Sequence, residues 1–579
     1  MNAQTHERKL PGIGEYYSAT QLRADRWSAL REAVEALSRH RAEGPQRRKI
    51  LATAEELFAA LAPIELYWAF PGAAAFDHLR KLLDSGSIED LTILIRRVAR
   101  ALTSGAYRRR TIPLMADETD AEDYDDESAI APEARAMGRP YFEVMIVDQV
   151  NEQQERFLRS SLQRMRRTED AFIYEPVIVP SLEDALIGIL FNHNVQAVVV
   201  RPGLTLKSRN DLAILSKYLR RVGEDEDVDG LEPNEYGPEA CRLIAKLRPE
   251  LDAYLVTDRS VEEIAGLDLG LCRRVFYNQE DFLELHLNIL RGVSRRYKTP
   301  FFTALREYSK QPTGVFHAMP ISRGKSITRS HWIQDMGAFY GPNIFLAETS
   351  ATSGGLDSLL EPRGPIKEAQ ELAARAFGAK QTFFATNGTS TCNKIVVQAL
   401  IRPGDIVLID RDCHKSHHYG MVLAGANVVY MESYPLHAYS MYGAVPVSEI
   451  KSKLLQLRAA GKLDQVRMVL LTNCTFDGIV YDVERVMSEC LAIKKDLVFL
   501  WDEAWFAFAR FNPTYRQRTA MTVANNLREH LRTPAVAAAW QNQQKLLSDA
   551  PDDVWLTTRL VPPPDARVRV YATQSTHKT

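Results

Sequence analysis

Apolar residues recur at helical spacing through RWSALREAVEALSRH (26–40) and IEDLTILIRRVARALTS (88–104), which predicts a helical N-terminal extension over residues 1–140. At Tyr141 the period changes. YFEVMIVD, AFIYEPVIV, VQAVVV and LDAYLVT are short apolar runs separated by helix-like stretches such as SLEDALIGILFNH. That alternation predicts a parallel sheet with helices on its faces over residues 141–281. Residues 282–317 read as helix and linker, and residues 318–579 as a second α/β region. One helix of that region is punctuated at both ends, with Pro365 near its first turn and Gly378 closing GPIKEAQELAARAFG.

Composition narrows the class. With 579 residues, 45% of them apolar, the chain is long enough for several cores, so a multidomain protein is expected. A formal charge of −2 supplies no basic field, and neither nucleic acid nor an anionic membrane is an expected partner. No apolar run approaches the ~18 residues of a spanning helix, and the opening MNAQTHERKL lacks the apolar centre of a secretory signal, so a cytoplasmic location is expected. Six scattered cysteines without a C-x-x-C pair argue for reduced thiols. Eight of the eleven residues from Asp117 to Glu127 are acidic, which reads as a solvated linker. Residues 141–281 look like a flavodoxin- or receiver-like module. A phosphoacceptor carboxylate would stand after the AVVV strand, but Arg201 follows it, which favours a structural or assembly domain without phosphotransfer.

The candidate chemistry lies in the second α/β region. FATNGTSTCNK (384–394) precedes the apolar helical stretch IVVQALI. Small residues and hydroxyls at a helix start make a phosphate cradle, with Ser390 and Thr391 as donors, or an ordinary N-cap. The strand DIVLID delivers RDCHKSHH, so His414 stands just past a strand end, placed to stack on a planar cofactor or to sit at the surface. Cys413, His414, His417 and His418 lack a second ligand cluster of matching spacing, so no metal is expected. DLVFLWDEAWFAF runs a buried strand into Asp502, Glu503 and Trp505. A carboxylate there needs a cation: an arginine or a protonated pyridine nitrogen. Finally, the alternating segment Val568–Tyr571 predicts a strand that leads into STHK, placing Lys578, whose amine can form a Schiff base, at a strand end. A phosphate loop, a ring-stacking histidine, a strand-end aspartate and a strand-end lysine, in that order, are the parts of a pyridoxal-phosphate site.

TNGTSTCNK, DRDCHKS, TNCTFDG, WDEAW and ATQSTHK together resemble the large pyridoxal 5'-phosphate-dependent ornithine/lysine/arginine decarboxylases, over roughly Tyr141 to Thr579. The resemblance implies an α/β chain with a receiver-like wing domain followed by a large domain of the aspartate-aminotransferase fold. It implies that Ser390, Thr391 and Ser575 bind the cofactor phosphate and that His414 stacks on the ring. Asp502 would pair with the pyridinium nitrogen, Lys578 would hold the aldehyde, and His577 and Trp505 would line the reacting face. It further implies decarboxylation of a basic amino-acid substrate, with DEAWFAFARFNPTY closest to the arginine enzymes, and a homodimer or higher homo-oligomer. Family members continue well past this lysine, so the large domain is expected to be incomplete here. An aminotransferase or aldolase on the same fold, or an assembly protein without cofactor, are the competing classes.

Overall fold

The computed structural model describes residues 13–40, 42–108, 114, 139–167, 169–209, 231–233, 235–264, 272–277, 282–316, 318–331, 334–349, 355–548 and 550–578. The acidic run 117–127 and Thr579 lie outside the described residues. The chain divides into two units, Met1–Lys298 and Thr299–Thr579.

The first unit opens with four helices, Ile13–Arg39, Pro45–Glu65, Ala73–Asp84 and Ile88–Ser104. Their apolar stripes meet in a core of Trp27, Leu30, Phe58, Leu79 and Ile95. Glu65 is buried there and is satisfied by Arg23 Nε at 2.7 Å and by Trp27 Nε1 at 2.8 Å. Five strands follow: β1 (Tyr141–Val147), β2 (Ile173–Val179), β3 (Val195–Val200), β4 (Asp252–Thr257) and β5 (Cys272–Tyr277). They form one parallel sheet in the order β2-β1-β3-β4-β5, the doubly wound order of flavodoxin-like folds. The near-continuous apolar runs of β1 to β4 are explained by burial on both faces. Helices Leu182–Phe191 and Tyr236–Leu247 cover one face. Helices Glu152–Arg164 and Phe282–Arg296 cover the other, so the segment that begins at Phe282 packs as a layer of this sheet. Tyr67 and Trp68 from the helical region enter the first of these cores. At the carboxyl edge Arg201 Nη1 binds Asp148 Oδ2 at 2.7 Å.

The second unit carries β6 (Ile406–Asp410), β7 (Asn427–Met431), the short antiparallel pair β8 (Pro435–Leu436) and β9 (Met441–Tyr442), then β10 (Val466–Thr472), β11 (Val498–Glu503) and β12 (Arg569–Gln574). The parallel sheet runs β12-β11-β10-β6-β7. Helices Gly388–Leu400 and Lys415–Ala424 pack on one face through Val397 and Met421. Helices Val447–Ala459, Val483–Ile493 and Ala520–His530 pack on the other through Leu454, Val486 and Val523. The helix Pro365–Phe377 starts on its proline and ends at Gly378, whose φ of 71° is the left-handed cap that glycine adopts without a Cβ clash. Among the described residues no helix is long and apolar enough to cross a membrane.

Candidate active site

Side chains alternate across a strand, and that rule separates the two carboxylates at the end of β11. Val498 and Leu500 pack towards helices Gly388–Leu400 and Lys415–Ala424, and Asp502 continues that row. Phe499 and Trp501 face the opposite core, and Glu503 continues that one. Glu503 is fully enclosed and accepts from Ala520 N (2.8 Å), Asn473 Nδ2 (3.0 Å) and Gln574 Nε2 (2.8 Å). Burial nevertheless pushes its carboxyl above the ordinary value.

Asp502 is equally sheltered but differently held. His417 Nε2 and Asn393 Nδ2 each donate to Oδ2 at 2.8 Å, and the Ala504 N–H donates to Oδ1 at 3.1 Å. Burial alone would raise this carboxyl, but the histidine, the amide and the backbone donor outweigh it and hold the group below its usual range. Among the described residues no lysine or arginine forms an ion pair with Asp502; its one such contact is His417. A buried carboxylate kept ionised by hydrogen bonds, without a lysine or arginine partner, suits a positively charged ring nitrogen.

The amide that grips Asp502 also reaches the neighbouring loop. Asn393 Nδ2 donates to Ser416 Oγ at 3.1 Å, and Asn393 Oδ1 accepts from Thr573 Oγ1 on β12 at 2.6 Å. Ser416 Oγ lies 2.8 Å from His414 Nδ1, and the Ser416 N–H donates to that same nitrogen at 3.2 Å. His414 thereby caps the helix Lys415–Ala424 while its ring stays open to solvent. Burial and the nearby positive charge of Lys578 lower its pKa, against the pull of Asp502. Cys413 Sγ faces His418 Nε2 at 3.4 Å. Among the described residues no group of His, Cys, Asp and Glu is arranged to hold a metal ion.

The segment expected as a loop before IVVQALI is helical from Gly388 onwards, so Thr389, Ser390 and Thr391 form its first turn. The N–H groups of Gly388, Thr389 and Ser390 lack intrahelical acceptors, which is what an anion needs. Thr391 Oγ1 turns back to Asn387 O at 3.2 Å. Thr389 Oγ1 is buried without a hydrogen-bond partner, an orphan that a phosphate oxygen would satisfy. Beyond β12, the Ser575 hydroxyl hydrogen-bonds His577 Nδ1, and Lys578 Nζ sits 4.9 Å from the centre of the Trp505 ring. Phe476 meets the same indole edge-on at 5.9 Å.

β11 and β12 pair Asp502 with Thr573, and the network through Asn393 ties them to Ser416 and His414. The expected residues Asp502, His414, Ser575, His577, Lys578 and Trp505 thus follow strand ends at one carboxyl edge. Ser390 and Thr391 stand on the helix whose Asn393 holds Asp502. Sequence reasoning passed over Asn393, Ser416, Thr573 and Thr389, and weighed His417 only as a metal ligand. Asn393 and Thr389 are four residues apart on one helical face, and His417 is one turn beyond His414; that spacing was the available signal. Residues fit for pyridoxal phosphate are therefore present: donors at a helix start, an orphan hydroxyl, an ionised buried carboxylate and a lysine amine.

Residues 299–546 match the family model described as Orn/Lys/Arg decarboxylase, major domain; Ser575, His577 and Lys578 lie past that match. The chain is 31% identical over 293 residues to lysine decarboxylase LdcA of Pseudomonas aeruginosa, covering 48% of this chain and 39% of that protein. It is 30% identical over 378 residues to the biodegradative arginine decarboxylase of Escherichia coli (strain K12), covering 61% and 48%. Among solved structures, the Francisella novicida lysine decarboxylase LdcF matches 76% of this chain and 52% of its own, at 21% identity and a TM-score of 0.39. The matches span about half the length of these relatives or less. By its family model and these relatives, the chain is similar to the Orn/Lys/Arg decarboxylases.

Proposed function

We propose that the protein acts as a pyridoxal 5'-phosphate-dependent decarboxylase of a basic amino acid, with arginine as substrate and agmatine and carbon dioxide as products. The observation that carries this reading is the ionised Asp502, without a lysine or arginine partner among the described residues, at the sheet edge that also presents Lys578. When bound, the cofactor supplies the electron sink for the pair released as carbon dioxide leaves. The first turn at Gly388 and Ser575 would hold its phosphate, and Lys578 would hold its aldehyde. Asp502 would keep the proton on the ring nitrogen, as preorganised charge does where water is excluded. His414 would cover one ring face, and Trp505 and His577 would line the other. His577 and Lys578 are the groups assigned to return a proton to the substrate Cα.

Arginine is preferred because DEAWFAFARFNPTY resembles the arginine enzymes; the 31% identity to a lysine decarboxylase makes lysine the second reading. We further propose a homo-oligomer in the cytoplasm, supported by the exposed aromatics Phe383, Phe476 and Trp505 in the second unit. Borohydride reduction followed by peptide mapping of the full-length protein should place the cofactor on Lys578. Product analysis with arginine, lysine and ornithine then decides the substrate, and labelling at another lysine refutes the site. A monodisperse monomer in sedimentation refutes the oligomer.

A further inference from the structure

The side chains assigned to the cofactor ring, His414 and Asp502, do not touch one another, yet both end on one amide. An ionised carboxylate only accepts, so the group of Asn393 that meets Asp502 Oδ2 at 2.8 Å is its NH2, and Oδ1 is left to accept from Thr573 at 2.6 Å. The second hydrogen of that NH2 points at Ser416 Oγ, 3.1 Å away. A hydroxyl that has accepted there has its own proton free to donate, and His414 Nδ1 lies 2.8 Å from it. The Ser416 N–H, at 3.2 Å, aims at the same ring nitrogen. Two donors on Nδ1 leave room only for a lone pair, so the imidazole carries its single proton on Nε2. All the directions in the chain follow from the ionised carboxylate at one end.

We propose that Asn393 is a positioning residue that, through Ser416, fixes His414 as the neutral Nε2–H tautomer while it fixes the orientation of the Asp502 carboxylate. The assignment of His414 and Asp502 to a cofactor ring rests on the proposed function; the hydrogen-bond chain does not. Such a device makes the two ring contacts one unit. A histidine covering a ring whose nitrogen is protonated would add a second positive charge if it too were protonated, and the chain opposes that. The charged and titratable groups facing His414 are Asp502, His417, Lys578 and Lys415.

The test follows the ring nitrogens of His414 by NMR in the full chain with labelled histidine and no added cofactor, assigned by difference from His414→Gln. Wild type should show one tautomer, with the proton on Nε2. Ser416→Ala removes the hydroxyl donor without adding charge. It should mix the tautomers and raise the titration midpoint by about one pH unit, the size of one hydrogen bond. Asn393→Asp is nearly isosteric but turns the Ser416 proton towards the new carboxylate. It should also raise the midpoint, partly by its own charge. In the double variant that charge effect persists but the serine effect cannot be lost twice, so the combined shift should fall short of the sum by about one unit. Additive shifts overturn the proposal, and so does a Ser416→Ala protein whose His414 is unchanged, even where Asn393→Asp fails to fold. Equilibrium dialysis with pyridoxal 5'-phosphate separates the two claims. If His414 behaves as stated but wild type takes up no cofactor, the functional reading fails and the positioning chain stands.

Discussion

Exchanging the two adjacent carboxylates of β11 for their amides, one at a time, should give opposite outcomes. In Asp502→Asn the lost charge has no substitute, because no other described acid shares its position. Removing one preorganised electrostatic contact of this kind costs about 3–4 kcal/mol of transition-state stabilisation, or roughly 100- to 1000-fold in kcat. The new amide also turns a donor towards His417 and Asn393 or towards the Ala504 N–H, so about 1–3 kcal/mol of stability should be lost as well. Glu503→Gln meets the same donor conflict with Ala520, Asn473 or Gln574, so its stability should fall by a similar amount. Its side chain lies on the far face of the sheet, so kcat should stay within a few-fold of wild type. Steady-state decarboxylation by the full-length enzyme, with cofactor occupancy measured by absorbance, reads both. A fast Asp502→Asn enzyme beside a dead Glu503→Gln one would falsify the assignment of faces.

Three further outcomes follow from the same structure. The depressed carboxyl of Asp502 contributes stability that is full above its unfolded pKa of about 3.9 and lost as pH falls through the lower folded value; thermal melts of Asp502→Asn should therefore show a shallower acid limb than wild type. Lys451 is buried, 2.5 Å from Glu489 and hydrogen-bonded to Thr558 O, so Lys451→Met, which strands Glu489 with only half-exposed Arg485, should lose about 3–5 kcal/mol in denaturant titration; a loss below 1 kcal/mol would contradict the pairing. Among the thiols, burial and the charge of Asp410 push Cys413 up to about 12, whereas the Cys241 thiol hydrogen-bonds Cys272 and lowers it, so iodoacetamide near neutral pH should label Cys272 well before Cys413, as peptide mass spectrometry would show.

The strands were legible because burial on both faces writes itself as unbroken apolar runs: YFEVMIV, VQAVVV and IVLID each became a strand within a residue or two of the expected ends. The residues that close the strands were legible too, since Asp502, His414 and Lys578 break apolar patterns where a sheet edge is expected. What the sequence hid is pairing. Asn393 and His417 sit inside helices whose periodicity accounts for them as ordinary buried positions, and their partner Asp502 lies 109 and 85 residues away. The start of the helix at Gly388 was hidden for another reason. Gly, Thr and Ser are weak helix formers, so TNGTSTCNK reads as loop, while the packing of Val397 on the sheet carries the helix back to Gly388.

The bond between Thr573 and Asn393 joins residues 180 positions apart, and it reaches from β12 across to the helix Gly388–Leu400. Contacts of such long sequence separation form late, because the intervening chain must already be ordered before they close. The bonds that join Asp502, Asn393, Ser416 and His414 can be in place while the β12 segment is still searching for β11. During synthesis the lysine also emerges after every other assigned residue. On the proposed function, ligand capture at this edge would report on completion: a chain whose Lys578 held the aldehyde would already have docked its last described strand, and one that had not would let the molecule go.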